Sequence, residues 1–303
     1  MQTSTKKKRG FRSDHWRSLG FIWVVLIPIL IQYTVTTMLP MAMSFVLTFT
    51  DWGLVGAKHF IGLENWRRLF SDPEVWNSLK VTIIYALYVV IPVVVLGLVL
   101  ALIINQRRRF VGFYKATYFF PVITSSIVLA SIWKWLFVAT DTGVINQLIG
   151  FFGIPPQFFF GQDLALFTVA LLGIFQSLGT SMVYFYAGLK GIPTELIEAA
   201  RVDGATGAQS FFRVTVPLLK PTFAYVLIIM TSGALKVYDS IYMMFNQTGG
   251  PMNAANTLVM HTWRTSFTMM QMGYGSTIAY VLFFLILIIS IIQFAVTSKD
   301  NTR

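Results

Sequence analysis

Four long stretches of this sequence contain no charged residue. They cover residues 18–50, 81–106, 164–189 and 273–298. An uncharged apolar run of about 18 residues or more is long enough to cross a membrane as a helix. Charged residues make up only 12% of the chain, against roughly a quarter in soluble domains. The chain is therefore predicted to be an all-α polytopic membrane protein, and the absence of cysteine excludes disulfide-stapled and zinc-finger classes.

Six transmembrane helices are predicted. They lie within 18–50 and at about 81–104, 118–137, 164–189, 221–245 and 273–297. The first run would reach about 50 Å as a helix, against a hydrocarbon core of about 30 Å. It therefore either tilts and projects from the membrane or is broken at Pro28 and Pro40. The third and fifth spans are less regular, because Lys134 and Lys236 interrupt them.

The basic residues indicate the orientation of these spans. Sixteen of them lie in the N-terminal tail, two loops and the C-terminus on one side, and five lie on the other side. Positive charge stays in the cytoplasm, so both termini and the loop over 190–220 are predicted to be cytoplasmic. The tails are residues 1–17 and 298–303, and the membrane domain is 18–297. Because the basic residues flank the apolar runs, the net charge of +11 is an orientation signal, and no nucleic-acid partner is expected.

The loop between the fourth and fifth spans has the local signals of two short helices. Pro193 suits a first helical position, and Gly204 suits the left-handed residue that ends a helix. Thr206 followed by Gln209 is a capping-box pattern that would begin the second helix. Pro217 is predicted to stop that helix.

The first of these helices has one face with small residues and a polar rim. Leu196, Ala199, Ala200 and Asp203 share that face at three- and four-residue spacing. Such a helix could lie in a shallow groove of a partner, or it could rest on lipid headgroups as an amphipathic helix. The residues alone leave both interpretations open.

This loop resembles the EAA loop of ABC importer permeases. The matching residues are Glu198-Ala199-Ala200, Gly204 and Val214-Thr215-Val216-Pro217, where two valines replace the usual isoleucine and leucine. The rest of the chain is similar to the carbohydrate branch of that family, the maltose and glycerol-phosphate type. The similar segments are 60–66, with Trp66 where the branch has phenylalanine, Gly249-Gly250-Pro251 and 273–279.

The resemblance implies a six-span type I ABC importer permease fold with a coupling loop over 191–221. It implies that Glu198 meets a basic residue of the ATPase, that Ala199 and Ala200 permit close approach and that Gly204 makes the turn. Asp203 and Pro217 belong to the same coupling set. No glycine of this chain is followed by lysine, as the Walker A loop requires. The chain is therefore not expected to be an enzyme or to hold a cofactor.

The implied partners follow from the same family. They are a second, similar permease in a heterodimer, two cytoplasmic ATPase subunits that bind ATP and Mg²⁺, an extracytoplasmic solute-binding protein, a carbohydrate and membrane lipid. The location would be a bacterial cytoplasmic membrane. A membrane scaffold without transport is a further alternative.

Charged and polar residues inside the spans are candidates for a substrate path, because they are costly in lipid. Lys236 and Asp239 are three residues apart, so they could share a helix face and pair. An ion-coupled secondary transporter could use this pair as its relay. The alternatives for the pair are a structural role and, for Lys236, snorkelling to the interface. The full candidate path is Gln176, Ser177, Thr180, Lys236, Tyr238, Asp239 and Tyr242.

Two further sets of residues are given structural interpretations. Lys134 lies between Trp133 and Trp135 at a span end and is interpreted as an interfacial anchor. The three histidines are scattered along the sequence, so no metal site is expected.

Overall fold

Long helices form the body of the protein, and short helices cover its ends. A computed structural model describes residues 11–300 except 54, 57, 108, 139, 141 and 142. In these residues the α-helices are α1 (Phe11–Tyr33), α2 (Leu39–Leu47), α3 (Glu64–Ser71), α4 (Pro73–Asn105), α5 (Val111–Ile123), α6 (Ser126–Leu136), α7 (Val144–Gly150), α8 (Ala165–Lys190), α9 (Thr194–Val202), α10 (Gly207–Ser210), α11 (Val216–Leu218), α12 (Lys220–Ala234), α13 (Asp239–Met244), α14 (Leu258–Trp263) and α15 (Met272–Asp300). Extended pairing in the same residues is limited to an antiparallel bridge between Thr50 and Phe60, so the all-α prediction is confirmed.

Within the described ranges, five helical segments are long and apolar enough to cross a membrane, or six if one bent pair counts as a span. The five are Ile22–Leu47, Pro73–Asn105, Ala165–Lys190, Lys220–Met244 and Met272–Val296. The bent pair is α5 and α6. The predicted set of six is therefore recovered when the third crossing is counted as a broken one.

The third span is not the single helix that was predicted over 118–137. It begins at Val111, and its two halves meet at an angle of 93°. Thr124 and Ser125 are extended at the bend, with ψ angles of 137° and 131°. The Thr124 hydroxyl donates to the Phe120 carbonyl at 3.0 Å, so a side chain satisfies an acceptor at the end of the first half. Pro121 removes a further backbone donor.

The first span is continuous through both of its prolines. Pro28 lies inside α1, and a π-helical turn over Thr34–Met38 precedes Pro40. The Leu39 N–H donates to the Thr34 carbonyl, five residues back, and this wider turn accommodates the proline ring. Of the two alternatives for this run, the helix is the long unbroken one. It begins at Phe11, inside the stretch predicted as a tail, and residues 1–10 of that tail lie outside the described residues.

The core lies where α4 packs along α8, with α12 against both. Glycine makes the close contacts possible: a side chain at Gly97 would collide with Ser181, and one at Gly173 would collide with Tyr85.

The first span lies outside this core. Its helix α2 contacts α15, where the Tyr280 hydroxyl donates to the Met41 carbonyl at 2.8 Å. The last span, α15, continues through Asp300, so the predicted C-terminal tail begins as helix and residues 301–303 lie outside the described residues.

Candidate functional site

The loop between α8 and α12 has the predicted turn at Gly204. Helix α9 begins at Thr194, one residue after the predicted start, with Pro193 as its N-cap. Gly204 has a φ of +81°, and its N–H donates to the Arg201 carbonyl at 3.0 Å. The next N–H, of Ala205, reaches back to Ala200 at 2.9 Å. These bonds satisfy the helix's last carbonyls and turn the chain.

The second helix of the loop begins as predicted and ends differently. Both capping-box bonds are present between Thr206 and Gln209, at 2.8 and 3.3 Å. Pro217 does not stop the helix, so that prediction is wrong. A π-helical turn over Phe211–Thr215 precedes it, and the helical path continues through α11 to Leu218. Because the Val216 N–H bonds five residues back, to Phe211, the widened turn accommodates the proline.

Helix α9 presents most of its predicted face to the surroundings. Glu198, Ala199 and Asp203 are exposed, Ala200 is half-buried and Leu196 is 45% exposed. The helix rests on α10 and the adjoining π-helical turn, and it has no buried residue. In the described part of the chain the Glu198 carboxylate forms no ion pair, so it remains available to a partner.

A cavity of about 210 Å³ lies among the second, third, fourth and fifth spans. Its lining includes five of the seven residues predicted for the substrate path: Gln176, Ser177, Lys236, Tyr238 and Asp239. The two others, Thr180 and Tyr242, do not line it. The structure thus brings together side chains that lie about sixty positions apart in the sequence.

The fifth span is broken beside this cavity. Helix α12 ends at Ala234 and α13 begins at Asp239, so Lys236 lies in the non-helical connection between them. Lys236 and Asp239 therefore do not share a helix face, and no ion pair joins them among the described residues. The predicted pairing is wrong, because the i, i+3 argument required an unbroken helix.

The two broken spans meet at the cavity. Ser126, the first residue of α6 after the bend in the third span, lines it and accepts a hydrogen bond from the Gln176 side chain at 3.2 Å. Helices α6 and α13, the second halves of the two spans, pack against each other. Breaks in spanning helices place polar backbone and side chains at membrane depth where they face a cavity.

Aromatic rings lie on one side of the cavity wall. The Tyr238 ring lies 5.3 Å from the Tyr242 ring between centroids, and Tyr242 lies 4.9 Å from Trp263. Tyr242 therefore supports the cavity-lining Tyr238 rather than lining the cavity itself.

Lys134, predicted as an interfacial anchor, donates to the Asn246 side chain at 2.6 Å and so ties α6 to the turn after α13.

Sequence reasoning missed several cavity residues. Tyr85, Ser126, Gly173 and Ser240 line the cavity but have no individual signal in the sequence. Tyr85 and Gly173 lie in uncharged runs that predict apolar helices but do not indicate which residues line a cavity. Ser126 becomes prominent only because the chain bends there, and the bend itself was not predicted.

A buried polar network at one end of the bundle was also missed. Ser78 contacts the His261 Nδ1 atom at 3.1 Å and accepts from the Asn256 amide at 3.3 Å. All three side chains are buried. On its other side, the His261 Nε2 atom lies 3.7 Å from a Glu74 carboxylate oxygen. The network joins the start of α4 to α14, which lies outside the spans.

His261 is electrostatically unusual within this network. Burial lowers the pKa of its imidazole, and Arg264 and Arg68 act in the same direction. Glu74 and Asp72 oppose that lowering of the pKa but do not cancel it. The neutral imidazole is therefore the form that this arrangement favours.

Comparison with known proteins gives a consistent set of similarities. A family model described as "Binding-protein-dependent transport system inner membrane component" matches residues 81–299. The probable ABC transporter permease protein YesP of Bacillus subtilis is 34% identical over 97% of this chain and 94% of its own length. The arabinooligosaccharides transport system permease protein AraP of the same species is 30% identical, with coverages of 96% and 92%.

A solved structure is similar along nearly its whole length. It is the crystal structure of a bacterial ABC transporter involved in the import of the acidic polysaccharide alginate. One of its chains superposes with a TM-score of 0.80 at 19% identity, covering 94% of this chain and 99% of that one. This similarity shows that the two chains share the ABC importer permease fold.

Proposed function

This chain belongs to the family of binding-protein-dependent transport system inner membrane components, and on that premise we propose that it is one permease subunit of an ATP-driven carbohydrate importer. The substrate would be an oligosaccharide delivered by a solute-binding protein. The observation that carries the proposal is α9, a short helix that exposes Glu198 and Ala199 and ends at a glycine with positive φ.

The coupling role is supported by the packing of α9. Helix α9 rests on its own loop, with Ile197 packed against the core, and its exposed small side chains can enter a cleft of another protein without clashes. Glu198 has no partner among the described residues, so a basic side chain in that cleft would complete its interactions. Movement of the cleft on ATP hydrolysis would then reach α8 and α12 through the two ends of the loop.

The carbohydrate assignment is supported by relatives and by cavity chemistry. AraP is named for arabinooligosaccharides, and a 29% identical relative from Thermoanaerobacterium thermosulfurigenes is named for starch degradation products. The cavity presents an amide, hydroxyls, one ammonium, one carboxylate and two tyrosine rings. These groups bind sugar hydroxyls through hydrogen bonds, and the rings offer apolar faces for stacking. Breaks in two spanning helices would let the cavity open first outward and then inward.

The remaining subunits follow from the proposal. A second, similar permease would complete the path, two cytoplasmic ATPase subunits would bind ATP and Mg²⁺, and a binding protein would dock on the outer face. The chain itself would catalyse no reaction. It would lie in a bacterial cytoplasmic membrane with both termini and the α9 loop in the cytoplasm, as the basic residues predict.

An ion-coupled secondary transporter is the other class that the sequence left open. That mechanism would use Lys236 and Asp239 as a proton or ion relay. No ion pair joins these two side chains among the described residues, although both line the cavity, and the family membership of the chain gives the relay no support. Uptake that continues after ATP is depleted would favour this class instead.

Cross-linking tests the proposal directly, because the chain has no cysteine of its own. A cysteine at Ala199 should cross-link to the ATPase in membranes that contain the whole transporter. A cysteine at Ser71, which is also exposed but lies beside the start of the second span, is the control and should not react with it. Equal cross-linking of both variants, or of neither, would contradict the coupling role of α9.

A further inference from the structure

Basic side chains from two spans converge on one tyrosine ring beside the α9 loop. Lys115 of α5 has its ammonium 3.6 Å from the centroid of the Tyr186 ring, and Lys190 of α8 has its ammonium 5.5 Å from the same centroid. Each is held there by attraction to the ring's electron-rich face. We call Lys115, Lys190 and Tyr186 the basic cluster.

Acidic residues are few in the sequence around this cluster, and Glu195 is the first one after Lys190. Asp and Glu are absent from residues 75–140 and again from 164–194, which include α5, α6 and α8 and the part of α4 that follows Glu74. Within the described residues neither Lys115 nor Lys190 forms an ion pair. The two ammonium groups lie close to one ring and carry like charges, so an anion that contacts either group is attracted by both.

An apolar cavity with a cationic residue in its lining is formed in part by α5, the helix that carries Lys115. Arg107 lies at the rim of this cavity of about 100 Å³, whose walls include Tyr114, the neighbour of Lys115 in α5. The other lining residues are Leu100, Ile103, Ile104 and Tyr118. Phe110 and Phe113, close in sequence, are 72% and 68% exposed. Cations beside exposed aromatic and aliphatic side chains at a span end are typical of the region where lipid headgroups meet acyl chains.

We infer that the basic cluster is a binding site for the phosphate of an anionic phospholipid. The phosphate would lie against Lys115 and Lys190, and the upper part of an acyl chain would lie along the cavity beside Arg107. The apolar wall selects a lipid over a free phosphate ion, which would gain nothing from it. The inference needs only that the chain spans a membrane and is independent of the transported solute.

The test measures lipid retention by the full-length chain. The chain is reconstituted in nanodiscs of phosphatidylcholine and phosphatidylglycerol in equal amounts, and the lipids that remain bound after release are counted by native mass spectrometry. The unchanged chain should retain phosphatidylglycerol selectively. The double variant Lys115→Gln with Lys190→Gln should lose this selectivity by about tenfold or more, because each lysine contributes to binding an anionic headgroup.

Two matched double variants show whether a loss of lipid selectivity comes from the site itself, from the lower total charge or from misfolding. The pair Lys58→Gln with Lys80→Gln removes the same charge at the other end of the spans and should retain phosphatidylglycerol as before. The pair Lys115→Arg with Lys190→Arg keeps the charges on the ring and should also retain it. Equal loss in both glutamine pairs would overturn the proposal, as would selectivity that survives Lys115→Gln with Lys190→Gln.

Inorganic phosphate distinguishes a lipid site from an ion site. Excess inorganic phosphate should leave the retained phosphatidylglycerol in place, since the acyl chain contributes to binding. If inorganic phosphate displaces the lipid, the cluster binds a free anion and the lipid assignment is wrong. Because no solute transport is measured, failure here would leave the proposed carbohydrate import untouched.

Discussion

Gly204 and His261 show how single residues determine local behaviour in this protein. Gly204 has open space around the position that a Cβ would occupy, so its importance comes from its backbone angle alone. His261, by contrast, is important because of what surrounds it. Its imidazole is buried between a serine and a carboxylate, at the point where the start of α4 meets α14.

Replacement of Gly204 by alanine should destabilise the α9 turn by about 1 kcal/mol, because a Cβ is unfavourable at positive φ. Coupling should weaken with it, and the measurement is ATP hydrolysis stimulated by the loaded binding protein. Gly207→Ala is the matched control, since Gly207 also has open space but lies inside a helix, where alanine is favoured. A loss of stimulation in both variants would contradict the role given to the turn.

The stability of the protein should fall as the pH drops below about 6.5, the ordinary pKa of histidine. Burial lowers the pKa of His261 in the folded state, so the unfolded state binds a proton more readily. Acid therefore stabilises the unfolded state relative to the folded one. The contribution of neutral His261 to the free energy of unfolding is fully present above about pH 6.5. It is lost as the pH falls from there through the lowered pKa of the folded state. Thermal unfolding at pH 7.5 and 5.5 measures this effect.

Two histidine variants isolate the source of that pH dependence. His261→Gln should reduce the difference between the two pH values, because the buried titrating group is gone. His59→Gln removes an exposed histidine and should leave the difference unchanged. If His261→Gln keeps the full acid sensitivity, other groups are responsible for it.

At the scale of elements, the long helices could be predicted from sequence and the breaks could not. Long uncharged apolar runs predict spans because their length matches the hydrocarbon core and a helix satisfies its backbone hydrogen bonds internally. The bend at Thr124–Ser125 and the gap between Ala234 and Asp239 depend on how neighbouring helices pack. Pro121 and Lys236 were visible signals near each break, but proline and lysine also occur in unbroken spans.

The candidate site likewise has one part that could be predicted from sequence and one part that could not. Gly204 and the capping box of Thr206 and Gln209 are local, so residue identity was sufficient to predict them. The cavity is formed from four spans, and the sequence supplied only its polar members in the fourth and fifth. Pro217 was misinterpreted because a proline preceded by a π-helical turn does not end the helix.

Asp239 tests whether the break in the fifth span forms part of a substrate path. Asp239→Asn should raise the KM for transport by about tenfold, because a charged acceptor makes stronger hydrogen bonds to hydroxyls than an amide does. Assembly should remain normal, as judged by co-purification of the subunits. Asp163→Asn, at an exposed position outside the cavity, is the control. Loss of assembly with Asp239→Asn would indicate a structural role instead.

The whole molecule has one end rich in basic residues and one end poor in them. In the six-span prediction, the side with the α9 loop and both termini carries sixteen of the basic residues and the other side carries five, which predicts that the first side faces the cytoplasm. A reporter fused after Arg303 should therefore be active only inside the cell. A reporter placed at Asn253, in the connection between the fifth and sixth spans, should be active only outside. Cytoplasmic activity at Asn253 would contradict the six-span orientation.

The central claim is that ATP hydrolysis by partner subunits drives transport through the exposed helix α9. Its most direct test is ATP-driven uptake into proteoliposomes that contain the complete transporter with Glu198→Lys in this chain, compared with Glu195→Lys, an equal charge change at another exposed position of the same helix. An intersubunit ion pair that is partly shielded from water contributes more than an exposed one. Uptake should therefore be lost with Glu198→Lys, while insertion stays normal and Glu195→Lys retains most activity. Full ATP-driven uptake with Glu198→Lys would contradict the account.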